Sequence, residues 1–294
     1  MDSLEQRTDA YDKISPTAWG VAYRRTLAEI PFSKEIFDEL DKIMRRSYSA
    51  EELQEFEVLK HPEAAPIIEA RFRLVSRLVK ASGSKQIFEI AAGFSSRGIE
   101  MAQDPSVEFV EADLPGVIND KRDIVETLAA QSKVPREPNL HLVDGNALNA
   151  RELLTAVIPF RQEPITVVTE GLLRYLDFKE KAIVAANVHQ LLERFGGVWI
   201  TPDLSEGLFG QSAEKIKERH KRMKEITGAD LTENRFKDEQ SAREFFENLG
   251  FVVERHSCLE VLDETVSPQK LGLSKDQTQT ILKDFPAFVM RLCG

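Results

Sequence analysis

The sequence predicts an α/β protein: a doubly wound, mostly parallel sheet of seven strands behind an N-terminal helical cover. Three observations predict it. From residue 85 onward, short apolar runs alternate with helix-patterned stretches, the mark of βαβ units. Residues 1–82 lack such runs and repeat apolar positions at helical spacing. The first run, Gln86–Ile90, ends in the small-residue turn Ala91-Ala92-Gly93, and an acid, Asp113, stands at the tip of the next. That is how a βαβ unit binds a nucleoside: small residues let the backbone approach, and the acid accepts from ribose hydroxyls.

In the cover, Ile36, Phe37, Leu40, Ile43 and Met44 share one helix face, and Phe72, Val75, Leu78 and Val79 share another over Arg71–Lys80. That second helix stops at Ser82-Gly83, with Gly83 as its C-cap. The domain boundary is placed there: 1–82 as a lid and 83–294 as the ligand-binding domain. Five strands follow at Gln86–Ile90, Val107–Glu111, Leu140–Val143, Ile165–Thr169 and Val198–Thr201. Helices at Ser96–Gln103, Val117–Gln131, Ala150–Val157 and Lys179–Arg194 lie between them. A long charged helix over about Glu206–Thr227 forms an insertion near 205–240. A helix at Ser241–Leu249 closed by Gly250 leads to two more strands, Phe251–His256 and Ala287–Leu292, separated by an irregular segment.

The chain has 294 residues, 42% hydrophobic and 30% charged, enough for a full core. Its net charge of −10 argues against a nucleic-acid partner, which needs a basic face for phosphates. The cluster Lys215, Lys217, Arg219, His220, Lys221, Arg222 and Lys224 is interleaved with Glu214, Glu218 and Glu225 and reads as a solvated helix face. Two cysteines, Cys258 and Cys293, predict neither a disulfide scaffold nor a metal site. The start, Met1-Asp2-Ser3-Leu4-Glu5, lacks the features of a signal peptide, and no run reaches membrane-spanning length. The expectation is a cytoplasmic protein without a membrane partner; the sequence sets no oligomeric state.

Several segments occur in a telling order: Ile14-Ser15-Pro16-Thr17-Ala18, Ala70-Arg71-Phe72-Arg73, Glu89-Ile90-Ala91-Ala92-Gly93-Phe94-Ser95-Ser96-Arg97, Glu111-Ala112-Asp113-Leu114-Pro115-Gly116-Val117-Ile118 with Lys121-Arg122, and Thr169-Glu170-Gly171-Leu172-Leu173-Arg174-Tyr175-Leu176. Together they resemble the leucine carboxyl methyltransferase superfamily, in its bacterial O-methyltransferase-like branch linked to polyketide biosynthesis. The resemblance implies the class I methyltransferase sheet, with the seventh strand antiparallel beside the sixth. It implies S-adenosylmethionine as cofactor and methyl transfer to a carboxylate or hydroxyl of a small-molecule acceptor. Two segments depart from the family pattern. Ala91-Ala92-Gly93-Phe94-Ser95-Ser96-Arg97 replaces Gly-Ala-Gly-x-Asp-Thr-Arg, putting a methyl where backbone and cofactor come close. Asp144-Gly145-Asn146 replaces Asp-Leu-Arg.

Each part of that cofactor makes a demand. Asp113, with Leu114, is placed for the ribose; otherwise it is a surface acid before Leu114-Pro115. Asp144, with Gly145 and Asn146, faces the adenine amino group by resemblance, although Asp-Gly is also a turn dipeptide. Arg71 aligns with an arginine that reaches the cofactor's carboxylate; Arg97 is a second candidate, but an isolated helix arginine is usually solvated. Glu170, with Gly171, would face the ammonium and sulfonium, and would equally complement a following helix dipole. Glu89, Ala91 and Gly93 complete the cofactor set. Tyr175 is an acceptor-pocket residue or a core aromatic with its hydroxyl at the rim. Of His61, His141, His189, His220 and His256, only His256 falls near a strand tip, so no general base is named; a carboxylate acceptor needs none. The alternatives are a protein C-terminal carboxylate as acceptor, a non-catalytic member of the fold, and an NAD(P)-dependent oxidoreductase. The last lacks Gly-x-Gly-x-x-Gly.

Overall fold

The structure, a computed structural model, describes residues 16–204, 221 and 233–294. The stretch Glu206–Thr227, apart from Lys221, lies outside the described residues, as do Ile14 and Ser15.

Seven strands form one sheet in the order β3-β2-β1-β4-β5-β7-β6. They are β1 Gln86–Ile90, β2 Glu108–Asp113, β3 Leu140–Asp144, β4 Ile165–Thr169, β5 Gly197–Thr201, β6 Phe251–Ser257 and β7 Pro286–Leu292. The first five are parallel, and β7 runs antiparallel between β5 and β6. The helices are α1 Pro16–Leu27, α2 Ser33–Ser47, α3 Ala50–Phe56, α4 Ala65–Ser82, α5 Arg97–Met101, α6 Pro115–Ala130, α7 Ala150–Ala156, α8 Phe178–Phe195, α9 Glu239–Glu247, α10 Ser267–Lys270 and α11 Lys275–Leu282. Among the described residues, none is long and apolar enough to cross a membrane.

Alternation along the strands sends side chains to two covered faces, so the central strands are buried throughout. Ile87, Phe109, Val168 and Ile200 pack with α4 and the segment after β6, around Cys258, Leu282 and Phe285. Phe88, Ile90, Val110, Val167 and Trp199 pack with α7, α8 and α9, around Leu153, Val188 and Phe246. A third cluster joins α1 and α2 to α6 through Trp19, Ile36, Leu40, Met44, Val117 and Ile124.

Gly83 ends α4 at φ 73°, the left-handed cap its sequence predicts. Boundaries shift where side-chain caps or ladder pairing decide them. β2 runs on to Asp113 because Asp113 pairs in register with Asp144. α9 starts two residues early because Asp238 accepts from the Ser241 N–H. The irregular segment before β7 holds a 3₁₀ turn, α10 and α11, which pack on α4.

Candidate active site

The strand order reverses between β1 and β4, and the carboxyl ends there border the crevice where open α/β sheets bind ligands. β1 leaves the sheet through Ala91 at φ 55° and Gly93 at φ 51°. The loop is tied to β2 twice: Ala92 N–H donates to the Ala112 carbonyl at 3.3 Å, and Gly93 N–H donates to Asp113 Oδ2 at 2.7 Å. Asp113 Oδ1 accepts from Leu114 N–H at 2.8 Å. Burial raises the Asp113 carboxyl above its usual range, against those two backbone donors. β3 is drawn in by Gly145 N–H, which donates to the Asp113 carbonyl at 2.8 Å. A Cβ at Gly145 would come within 3.0 Å of Ala112 Cβ, so glycine is what lets β3 approach. Asp144 is exposed beside Asp113, while Asn146 Oδ1 accepts from Leu148 N–H.

On the other side of β1 the site is built from charge. Arg97, which the sequence leaves as a second carboxylate candidate or a solvated helix residue, is fully buried. Acids at the ends of two strands draw it inward. Its Nη2 donates to Glu170 Oε2 at 2.7 Å, its Nε to Ser76 Oγ at 3.1 Å, and its Nη1 to Glu89. Arg71 Nη2 donates to Asp203 Oδ1 at 2.7 Å. Asp203 also accepts from the N–H groups of Gly171, Leu172 and Leu173 at 2.7–3.1 Å, which fixes the Glu170-Gly171 turn. Arg25 of α1 comes within 3.7 Å of Glu170 Oε1. Arg25 and Arg97 both lie over the Phe72 ring, at 5.4 and 4.6 Å. Below them Lys121 and Glu111, both fully buried, pair at 2.5 Å, with Glu111 in register with Glu89.

Burial pushes the Glu89 carboxyl up to about 7, with Arg97 opposing. Burial acts the same way on Glu170, but Arg97, Arg25 and Arg71 outweigh it and hold Glu170 below the usual carboxylate range. Of the groups around Glu170, Arg25 Nε, Arg71 Nε and Glu89 Oε2 are buried without a hydrogen-bond partner among the described residues.

Tyr175 is half-buried in a 3₁₀ turn, Leu173–Tyr175, and its carbonyl accepts from Asn234 Nδ2 at 3.2 Å. Lys181 Nζ donates to the Asn234 carbonyl at 2.7 Å, so residues 233–236 are held against this turn. The four described histidines lie elsewhere: His61 by Glu63, His141 by Glu108, His189 by Glu193, and His256 by Glu254 and Glu260.

Sequence reasoning missed Arg25, Asp203 and the Glu111–Lys121 pair. Asp203 carried a usable signal, an acid just past a strand end, as at Asp113 and Glu170. Glu111 carried another, an acid inside an apolar run. Arg25 carried none.

A family model for leucine carboxyl methyltransferase matches residues 23–189. The chain belongs to the leucine carboxyl methyltransferase family. The fold agrees with two solved structures. A putative methyltransferase from Thermobifida fusca YX aligns at 15% identity and TM-score 0.57, over 93% of this chain and 94% of that one. A DUF574 family protein from Streptomyces avermitilis MA-4680 aligns at 14% identity and TM-score 0.54, over 93% and 97%. A putative O-methyltransferase from Nostoc punctiforme PCC 73102 aligns at 15% identity and TM-score 0.47, over 78% of this chain; the chain spans 60% of that protein's length. A search of curated proteins returned no significant match. The family's cofactor is S-adenosylmethionine. The residues present suit it: two buried donors on α1 and α4 and a buried acceptor on β1, none with a hydrogen-bond partner among the described residues, stand around Glu170, where a zwitterionic amino-acid tail would satisfy them.

Proposed function

We propose that this family member is an S-adenosylmethionine-dependent O-methyltransferase acting on a small-molecule carboxylate or hydroxyl. The observation that carries the reading is the row of acids across four adjacent strand ends: Asp144, Asp113, the Ala91–Gly93 turn, then Glu170. When bound, the cofactor supplies an electrophilic methyl on a sulfonium. Asp113 keeps free lone pairs for ribose hydroxyls, because two N–H groups occupy only part of a carboxylate's acceptor capacity. Asp144, with Gly145 and Asn146, takes the adenine edge. Glu170, held ionised by arginines, attracts the ammonium and sulfonium, and Arg71 takes the carboxylate. Glu89 anchors Arg97 beneath them. Leu114 and Gly171 frame the site with backbone, and Tyr175 borders the acceptor side.

Alignment of methyl and acceptor oxygen supplies most of the rate in such a transfer. Among the described residues a base is poorly provided for. The four described histidines stand elsewhere, and Asp203 and Glu170 are committed to amides and arginines. This favours an acceptor oxygen that arrives ionised, a carboxylate, over a hydroxyl.

A non-catalytic reading draws on one observation, the Ala91 methyl held at positive φ where the family has glycine. Calorimetric titration with S-adenosylmethionine and S-adenosylhomocysteine separates the two. Saturable binding by the wild type, abolished in Asp113→Ala, is expected, followed by radiolabelled methyl transfer to a panel of carboxylic acids and phenols. Absence of wild-type binding would favour the non-catalytic reading.

A further inference from the structure

Two acids lie side by side in the interior beneath the Ala91–Gly93 turn. Glu89 of β1 and Glu111 of β2 are in register on adjacent strands, 1% and 0% exposed. A cation stands on either flank: Lys121 of α6 pairs with Glu111, and Arg97 of α5 donates to Glu89. The two acids are not held equally. Lys121, itself fully buried, pairs with Glu111 alone among the described residues. Arg97 is divided, with Nη1 on Glu89 and Nη2 on Glu170 at 2.7 Å. Glu89 therefore shares its counter-charge, has a like charge beside it, and keeps an Oε2 without a hydrogen-bond partner among the described residues. The charged groups facing it are Arg97, Glu111, Lys121, Glu170 beyond β4 and Arg25 of α1. Burial pushes its carboxyl up to about 7; Arg97 and Lys121 oppose the rise, and Glu111 and Glu170 add to it.

We propose that Glu89, backed by Glu111, distinguishes S-adenosylmethionine from its demethylated form by charge, carrying a proton while the site lacks a sulfonium and releasing it when the methyl donor binds. The inference rests on the cofactor reading above. The donor's amino-acid tail is a zwitterion and adds no net charge, so the sulfonium is the one uncompensated charge it brings. Acting through protein, a nearby unit charge favours ionisation of a buried carboxyl by about one pH unit. Glu89 is placed to respond. Glu170, held below the usual carboxylate range by its arginines, has no proton to give near neutral pH. On donor binding the O–H bond of the Glu89 carboxyl breaks and its proton passes to solvent. S-adenosylhomocysteine keeps the zwitterion without the sulfonium, so Glu89 regains a proton from solvent once the methyl has left the sulfur. The donor is accordingly favoured over the demethylated form more strongly at pH 8 than at pH 6.

Calorimetry tests this directly. Wild type and Glu89→Gln are titrated at pH 7 with S-adenosylmethionine and with S-adenosylhomocysteine, each in two buffers of different ionisation enthalpy, which gives the protons released per ligand bound. In wild type the donor is expected to release roughly half a proton more than the demethylated form, relative to the same difference in Glu89→Gln. Comparison with the variant cancels any titration of the ligands' own amino groups. The same difference in both proteins overturns the proposal. If Glu89→Gln does not fold, wild type alone decides: its preference for the donor should grow about five-fold from pH 6 to pH 8, and a preference constant within about two-fold overturns the proposal. If wild type binds neither ligand, the cofactor reading itself falls and this inference with it.

Discussion

Asp113 and Glu170 stand on either side of β1 and hold their charge by opposite means. Asp113 is held by two backbone N–H groups, Glu170 by guanidiniums. Burial raises Asp113 above its usual range, whereas the arginines take Glu170 below it. The difference suits what each side would bind. An acid fixed by amides stays a good acceptor for neutral hydroxyls. An acid neutralised by cations sits in a balanced cluster, where a zwitterion can insert without leaving net charge behind.

The largest break of this contrast is Arg97→Ala, which leaves Glu89 and Glu170 buried without their main partner. Stability should fall by about 3–5 kcal/mol at pH 8 in urea unfolding. Part of the loss should return toward pH 5 as the stranded carboxyls protonate; a pH-independent loss would count against the charge argument. Glu89 comes next. Its folded value is raised, so its contribution to stability is fully present below the ordinary carboxyl value of 4.5 and lost as pH rises through about 7. At about 1.4 kcal/mol per pH unit this interval amounts to about 3 kcal/mol. Glu89→Gln should flatten the slope of unfolding free energy between pH 5 and 7; an unchanged slope would place that titration elsewhere. On the amide side, Asp113→Ala strands the Gly93 and Leu114 N–H groups and should cost about 1–3 kcal/mol, and because burial raises the Asp113 carboxyl this cost should grow as pH falls, opposite in sign to Arg97→Ala. The smallest effect belongs to Ala91→Gly. Relief of left-handed strain and the added freedom of the unfolded chain are each about 1 kcal/mol and opposed. The melting temperature should therefore barely move, while S-adenosylmethionine binds several-fold more tightly. Weaker binding would show that the Ala91 methyl makes a favourable contact.

The acids on both sides of this contrast were legible in the sequence, and the gathering of arginines around one of them was not. Asp113, Gly93 and Glu170 sit at strand ends, and strand ends follow from apolar runs and small-residue turns. Arg97 stayed open between a second carboxylate candidate and a solvated helix residue, because its burial depends on carboxylates contributed by two separate strands. Arg25 and Asp203 reach the site through tertiary packing, the second at 132 residues' remove from its partner Arg71. The seven strands were legible because the central ones are buried on both faces and read as continuous apolar runs. The short helices between β6 and β7 were not, since each is too brief to display a period.

The place of β7 between β5 and β6 sets a timetable for the nascent chain. β6 is synthesised before the strand that pairs with it along seven residue pairs, from Phe251↔Leu292 to Ser257↔Pro286. Until β7 emerges, β5 keeps a bare edge and β6 has no place in the sheet. Open edges of that kind recruit other chains. The vulnerable interval of biosynthesis therefore falls between the making of β5 and of β7, when most of the core exists but its border is unsealed.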